Sequence, residues 1–121
     1  MLTSFKKVID AATETTTSDP IDVKYAKKVL FMFQRANHSS GSSAFKVSGS
    51  IDDGTTYIDI NLLRDNATGV MTLVGSKTLN ADGYALVSLD LDESGFAFDY
   101  IKVTVTETTD GTHSASVYVV R

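Results

Sequence analysis

Cysteine and tryptophan are absent from this chain of 121 residues, and proline occurs only once. Without cysteine the protein has no disulfide, no catalytic thiol and no Cys-ligated zinc. No stretch of about 18 apolar residues is present, so no membrane-spanning helix is expected. Lys6 and Lys7 are not followed by an apolar segment, so we expect no secretory signal in residues 1–12.

Positive charge is also in short supply, with 11 Lys and Arg against 15 Asp and Glu and a formal net charge of -4. A mildly acidic chain is poorly suited to binding a phosphate backbone or an anionic lipid surface. The densest basic spot comprises Lys24, Lys27 and Lys28, which we interpret as a strand edge kept soluble by lysine. We therefore expect neither nucleic acid nor a membrane as a partner.

The chain does contain enough apolar residues for one core. Hydrophobic residues make up 42% of it and charged residues 21%, and its length fits a single domain. Phe96, Phe98 and Tyr100 alternate along one predicted strand, which favours a place in the core over an exposed stacking platform.

Residues 1–20 differ in character from the rest of the chain. Leu2, Phe5, Val8 and Ile9 recur at a helix-like spacing over about two turns, and a Thr-rich polar stretch follows them. Because a helix this short is marginal in water, we predict a mobile N-terminal arm at 1–20. Its apolar stripe is our candidate partner-binding site.

From residue 21 to 121 the pattern predicts a β-domain. Short alternating runs separated by turn residues indicate about eight strands and no helix after residue 12. Residues 28–35 are apolar on both faces, which predicts a central strand covered on both sides, and residues 70–79 predict one strand with a bulge at Gly75. Asp-Gly pairs at 53–54 and 110–111 predict tight hairpins. The expected fold is all-β, an antiparallel β-sandwich of jelly-roll or immunoglobulin-like type with an N-terminal arm.

The sequence offers little catalytic chemistry. Only His38 and His113 could act as imidazole bases, and both fall in predicted loops, where we interpret them as solvated. No Gly-x-Ser-x-Gly motif and no phosphate-binding glycine loop is present. Asp90, Asp92 and Glu93 cluster at one strand end, where calcium could bind, but the ligand set is incomplete. We therefore expect no enzyme activity, no catalytic residue, no metal and no cofactor.

Several segments carry a resemblance to a known class of proteins. They are SDPIDV at 18–23, VLFMFQRA at 29–36, SSGS at 39–42, FKVSGS at 45–50 with the Asp-Gly pair and Tyr57, IKVTVT at 101–106 and DGT at 110–112. Together they resemble small accessory structural proteins of tailed-phage virions, among them capsid decoration (cement) subunits and head-fibre bases. The resemblance covers most of residues 18–121. It implies a subunit located in the virion that binds a lattice of capsid subunits, often as a trimer, without chemistry.

The leading hypothesis is therefore a capsid decoration subunit that binds the major capsid protein, or another virion protein, and stabilises the capsid. A closed homo-oligomer is expected, with a trimer preferred on the resemblance alone. The alternative is a carbohydrate-binding or adhesion module of a tail fibre or a cell-surface protein. A sandwich fold by itself does not separate these two hypotheses.

Overall fold

Short and long β-strands account for most of the chain in a computed structural model, which describes residues 3–65, 72–107 and 110–121. The strands are β1 Thr3–Ala12, β2 Thr16–Thr17, β3 Ile21–Asp22, β4 Lys28–Ala36, β5 Ser43–Ser50, β6 Ile58–Asp59, β7 Leu63–Asp65, β8 Thr72–Val74, β9 Lys77–Leu79, β10 Gly83–Asp90, β11 Tyr100–Glu107 and β12 Thr112–Val120. One turn of helix, α1 Leu91–Ser94, follows β10. No helix among the described residues is long and apolar enough to cross a membrane.

The strands form two antiparallel sheets. The first sheet has the order β1-β12-β4-β10-β7-β8, and the second has the order β2-β11-β5-β6, with β3 also paired to β11 and β9 to β5. Their apolar inner faces share one core. The predicted all-β antiparallel sandwich is confirmed, and the structure adds the strand order that the sequence left open.

The core is built from alternate residues of facing strands. On β4 the residues at positions 29, 31, 33 and 35 are fully buried, whereas their neighbours are partly or largely exposed. The rings of Phe31 and Phe33 on β4 stack at 5.9 Å, and Phe33 stacks on Phe45 of β5 at 4.5 Å. The contact between Phe33 and Phe45 joins the two sheets, because β4 lies in the first sheet and β5 in the second.

Strand β4 is central in the first sheet, as predicted, since it pairs with β12 on one side and β10 on the other. The expectation that both of its faces are covered is wrong for the described residues. Leu30 is only partly buried and Met32 is exposed. A two-layer sandwich covers only the inner face of each sheet, so the second apolar face of β4 looks outward.

The predicted helical stripe near the start of the chain is also wrong, because residues 3–12 form strand β1 along β12. The register shifts between Lys7 and Ile9. In a regular strand Phe5 and Ile9 would share a face, but the irregularity turns Ile9 into the core while Phe5 stays exposed. The segment expected to be a separate arm therefore contributes a strand to the sandwich.

Two segments that the sequence analysis places within one sheet instead connect the two sheets. The Asp-Gly pair at 110–111 precedes β12 of the first sheet, whereas β11 lies in the second, so it is not a hairpin turn. Residues 72–79 form two strands, β8 in the first sheet and β9 in the second, and Gly75 lies where the chain changes sheet. The pair at 53–54 does lie between two paired strands, β5 and β6, but the connection spans residues 51–57 and is longer than the predicted tight hairpin.

The position of Ile9 in the core gives a test of strand β1. We expect Ile9→Ala to lower the free energy of unfolding by about 2 to 5 kcal/mol, because a buried β-branched side chain is lost. Phe5→Ala on the same strand is the matched control and should change it by no more than about 0.5 kcal/mol. Urea denaturation followed by circular dichroism measures both, and equal effects would show that β1 is not held as described.

Candidate functional site

Large apolar side chains that remain exposed are the most informative feature of the surface. Among the described residues they are Phe5, Tyr25, Met32, Ile51, Ile58, Leu73, Tyr84, Leu86, Phe96 and Tyr118. All of them except Tyr25 fall on two surfaces. Single exposed apolar residues need no explanation, but contiguous patches mark interaction sites in soluble proteins.

The first surface is the side of the first sheet that points away from the second sheet, here called the outer face. Strand register places one row of residues across all six strands of this sheet: Phe5, Tyr118, Leu30, Ser88, Arg64 and Leu73. The next row contains Ser116, Met32 and Leu86, and the one after it contains Ser114, Gln34 and Tyr84. The apolar members of the three rows on β1, β12, β4 and β10 are neighbours and form one patch, whereas Leu73 on β8 is separated from it by Ser88 and Arg64.

Charged groups on the outer face lie around this patch. Lys28 is exposed at the first residue of β4. Lys7 on β1 is 3.4 Å from Asp10, and Arg64 on β7 is 3.6 Å from Asp90 at the end of β10. An apolar centre with a polar rim is the usual composition of a protein–protein interface.

The second surface is a groove of about 710 Å³ on the second sheet, here called the edge groove. It runs along β6 and the residues that follow it, and the loop after α1 forms its other wall. Its apolar lining consists of Gly49, Ile51, Ile58, Ile60, Leu62, Phe96 and Phe98, and its polar lining of Asp52, Thr56, Asp59 and Asn61.

Gly49 explains how the groove is shaped. A Cβ at this position would lie 2.5 Å from the Phe98 ring, so only glycine lets that ring lie against β5. Phe98 packs against the core, and Phe96 lies nearly parallel to it at 6.4 Å, half exposed. The expectation that both belong to one buried strand face is wrong, because neither residue is in a strand and Phe96 is exposed.

The acidic groups of the groove are held within the chain. Asp52 accepts hydrogen bonds from the Thr56 amide and the Ser50 hydroxyl, both at 2.8 Å, and these lower its pKa to about 2. Asp59 pairs with Lys46 at 3.2 Å. The rim of the edge groove is therefore negatively charged at neutral pH, with one of its two carboxylates partly neutralised.

A buried polar cluster lies at the far end of β4. The Arg35 guanidinium is fully buried and donates hydrogen bonds to His38 Nδ1, to Ser43 Oγ and to the carbonyl oxygens of Ser40 and Asp110. Because a buried charge without hydrogen bonds is strongly unfavourable, these bonds fix the loop from β4 to β5 against the start of β12.

The same cluster contains a hydroxyl, an imidazole and a carboxylate, each next to the following one in space. Ser43 Oγ is 2.6 Å from His113 Nδ1, and His113 Nε2 is 3.4 Å from Glu107 Oε2. This order of groups activates a nucleophile in hydrolases. Ser43 and His113 are both 0% exposed, however, so no substrate reaches the hydroxyl. We interpret the cluster as structural.

The structure corrects the expected place of one histidine. His113 belongs to β12 and is buried, not solvated in a loop, because β12 lies between β1 and β4 in the first sheet and its residues 113–117 are all buried. His38 is in a loop as predicted, where its ring accepts from Arg35 and its amide donates to Asp82 Oδ1 at 2.8 Å. No local pattern in the sequence indicates that His38 lies beside Arg35 and Asp82.

The four residues of the candidate partner-binding stripe do not come together. Leu2 lies outside the described residues. Phe5 is 63% exposed and belongs to the outer face, Val8 is partly buried, and Ile9 is in the core. Phe5 therefore remains available to a partner, whereas Ile9 does not. That residues of this segment bind a partner stays a prediction.

A metal site is not evident in the part of the chain that the structure describes, where no group of three or more candidate ligands occurs. Asp90 accepts a hydrogen bond from the Asp92 amide at 3.1 Å and lies near Arg64. A cation beside a carboxylate competes with calcium for it.

Comparison with protein-family models and with curated proteins gives no match. Among solved structures, the chain is similar to the SPBc2 prophage-derived protein YomS, with a TM-score of 0.65 and 16% identity over 97% of this chain and 92% of that chain. It is also similar to a Bacillus endospore appendage of the disulfide-linked pili, with a TM-score of 0.49 and 9% identity over 97% and 84%. A family 11 carbohydrate-binding module from Clostridium thermocellum gives 0.45 and 12% over 98% and 82%. The likeness to YomS shows a shared fold.

Removal of the buried guanidinium tests the polar cluster. We expect Arg35→Met to lower the free energy of unfolding by about 2 to 4 kcal/mol, because buried acceptors lose their donor. Lys46→Met, which breaks the exposed pair with Asp59, is the control and should cost less than about 1 kcal/mol. Chemical denaturation at neutral pH measures both, and a similar loss in the two variants would contradict a structural role for Arg35.

Asp52 gives a pH-dependent test of the turn beside the groove. Its pKa is lower in the folded chain, about 2 against 3.8, so its ionised form stabilises the fold above pH 3.8 and this contribution is lost as the pH falls through 2. We expect Asp52→Asn to lower the melting temperature at neutral pH, with the difference from wild type disappearing in acid. A constant difference across this range, or an equal effect of Asp59→Asn, would contradict this account.

Proposed function

We propose that the protein is a non-enzymatic structural protein of a phage particle, a decoration subunit that docks through the outer face of its first sheet. The observation that carries the proposal is the contiguous apolar patch on that face. Phe5, Tyr84 and Leu86 are each more than half exposed there. A surface of this kind is stabilised when another protein covers it.

The patch could form the centre of a protein interface. Its four strands lie about 14 Å across at the usual strand spacing, and the three rows extend over about 13 Å. The surrounding polar rim would supply the larger part of the roughly 800 Å² per partner that stable interfaces bury. Leu86 lies in the middle row, and residues near the centre of an interface usually contribute most to binding.

Two similarities support the location of this protein in a phage particle. Segments between residues 18 and 112 resemble accessory proteins of tailed-phage virions, and the fold is shared with a prophage-derived protein. Docking to the major capsid protein is the specific form of the proposal.

Carbohydrate binding is the second candidate, and the edge groove is the feature that favours it. Phe96 and Phe98 are parallel rings, on which a sugar could stack, and Asn61 and Thr56 line the same groove. The groove is mainly apolar, however, and Asp52 already holds hydrogen bonds within the chain. Because sugar recognition depends on polar groups that are free to bond hydroxyls, we place this candidate second.

The proposal is tested on phage particles produced from the genome that encodes the chain. We expect mass spectrometry to find the protein in purified particles in many copies, in fixed ratio to the capsid protein. Particles lacking the gene product should bind added wild-type protein, and Leu86→Asp should weaken that binding about 30-fold or more, as loss of a central interface residue does.

Tyr25→Asp is the matched control for this experiment. Tyr25 is 92% exposed but lies on neither apolar surface, and its positive φ of 63° is a conformation that Asp tolerates. It should bind particles as wild type does. Absence of the protein from particles, or equal binding by Leu86→Asp, would contradict the proposed function. Binding to a polysaccharide that Phe96→Ala abolishes would support the second candidate instead.

A further inference from the structure

The edge groove opens into the core of the sandwich at one corner. Ile58 on β6 lies opposite Gly49 of β5, and Gly49 lies opposite Ile101 of β11, which is fully buried. Residues directly opposite each other on neighbouring strands share a face of the sheet, so Ile58 points toward the inside of the sandwich. It is nevertheless 67% exposed, since the groove lies between β6 and the loop that carries Phe96. The inner apolar layer is therefore incomplete at this corner.

The backbone of β6 is also incompletely paired. The Ile60 amide donates a hydrogen bond to the Val47 carbonyl oxygen of β5 at 2.9 Å. In an antiparallel pair alternate residues direct their backbone groups at the neighbouring strand, so the amide and the carbonyl of Asp59 point away from β5. Strand β6 is the last in the order of its sheet, and no other strand among the described residues pairs with it. A free hydrogen-bonding edge thus runs beside the incomplete apolar layer.

We propose that the edge groove binds an extended peptide segment of another protein, in which every second residue is apolar and a neighbouring residue is basic. The segment pairs with the free edge of β6 and places its apolar side chains between Ile58 and Phe96. In strand addition of this kind, backbone hydrogen bonds contribute affinity and pockets for alternate side chains contribute specificity. The groove volume of about 710 Å³ is within the range of ligand sites. The inference concerns the second sheet and does not depend on docking through the outer face.

The charge at the rim of the groove is the reason for a basic residue in the segment. Asp52 has its pKa lowered to about 2 by hydrogen bonds from Thr56 and Ser50, so it is ionised at neutral pH. Both partners are uncharged, whereas Asp59 is paired with Lys46. None of the described residues that line the groove is basic. A Lys or Arg of the bound segment would therefore supply the opposite charge that Asp52 lacks in this lining.

The test uses the full chain and an array of capped nine-residue peptides. The peptides alternate Thr with Val, Leu or Phe and carry Lys, Thr or Asp at one end. We expect binding in the micromolar range by fluorescence anisotropy, with Lys peptides about 3- to 5-fold tighter than the matching Thr peptides. The amide resonances of Ile58 and Asp59 should shift on binding in NMR spectra. If no peptide of the array binds, the inference is wrong.

Two changes distinguish backbone pairing from simple burial of apolar side chains. Methylation of the alternate peptide amides that face β6 should abolish binding, whereas methylation of the other set should leave it unchanged, because only one edge of the peptide is paired. Asp52→Asn should remove the preference for Lys over Thr and still bind the Thr peptides. Equal effects of the two methylation patterns, or a preference that survives in Asp52→Asn, would contradict the inference.

Protein variants separate the groove from the outer face and from folding. Ile58→Asp should weaken the tightest peptide about 30-fold or more, and Phe96→Asp takes its place if circular dichroism shows that Ile58→Asp is unfolded. Leu86→Asp on the outer face is the matched control and should bind the peptide as wild type does. Particle docking that persists while no peptide binds leaves the proposed function intact and overturns this inference alone. A polysaccharide that binds wild type but not Ile58→Asp, in the absence of any peptide binding, would assign the groove to carbohydrate instead.

Discussion

The apolar character of both faces of β4 is the constraint on which the rest of the structure depends. Its inner face supplies Phe31 and Phe33, which stack on each other, and Phe33 also stacks on Phe45 of the opposite sheet and so joins the two layers. Its outer face supplies Leu30 and Met32, which the sandwich leaves without a covering layer. Because a two-layer fold covers only one face of each sheet, apolar residues that stabilise the core and apolar residues that stay at the surface alternate along the same strand.

The end of β4 shows how the core is closed. Arg35 occupies the next inward position after Phe33, where an apolar residue would extend the core. Instead, its guanidinium donates hydrogen bonds to Ser43 and to acceptors in the loop before β5 and in the residues before β12. Hydrogen bonds from Ser39 and Ser40 lower the pKa of Asp110 beside it, so this carboxyl stays ionised near the buried cation. This end of the sandwich is therefore closed by hydrogen bonds, which have a defined geometry that apolar side chains at the same place would not impose.

Much of the fold could be predicted from alternation alone, since β4, β5, β10, β11 and β12 all follow their two-residue period. Strand β1 does not follow this period: Phe5, Val8 and Ile9 have the spacing of a helix in the sequence, and the strand accommodates that spacing through a register shift between Lys7 and Ile9. The candidate sites could not be found this way. The outer face depends on register across six strands, and the cluster of Ser43, Glu107 and His113 depends on which strands face each other. Neither is encoded in local spacing.

Pairing of the first described strand with the last has a consequence for how the chain folds during synthesis. Thr3 lies opposite Val120, and β12 is the sheet neighbour of β1. Strand β1 leaves the ribosome before every other described strand, yet its hydrogen-bonding edge is completed only when β12 has emerged. Closing so long a loop is slow, so the side chain of Ile9 stays exposed to water and to chaperones until β12 has been made. The order in which the strands are made thus delays sealing of the core until that last described strand has paired with β1.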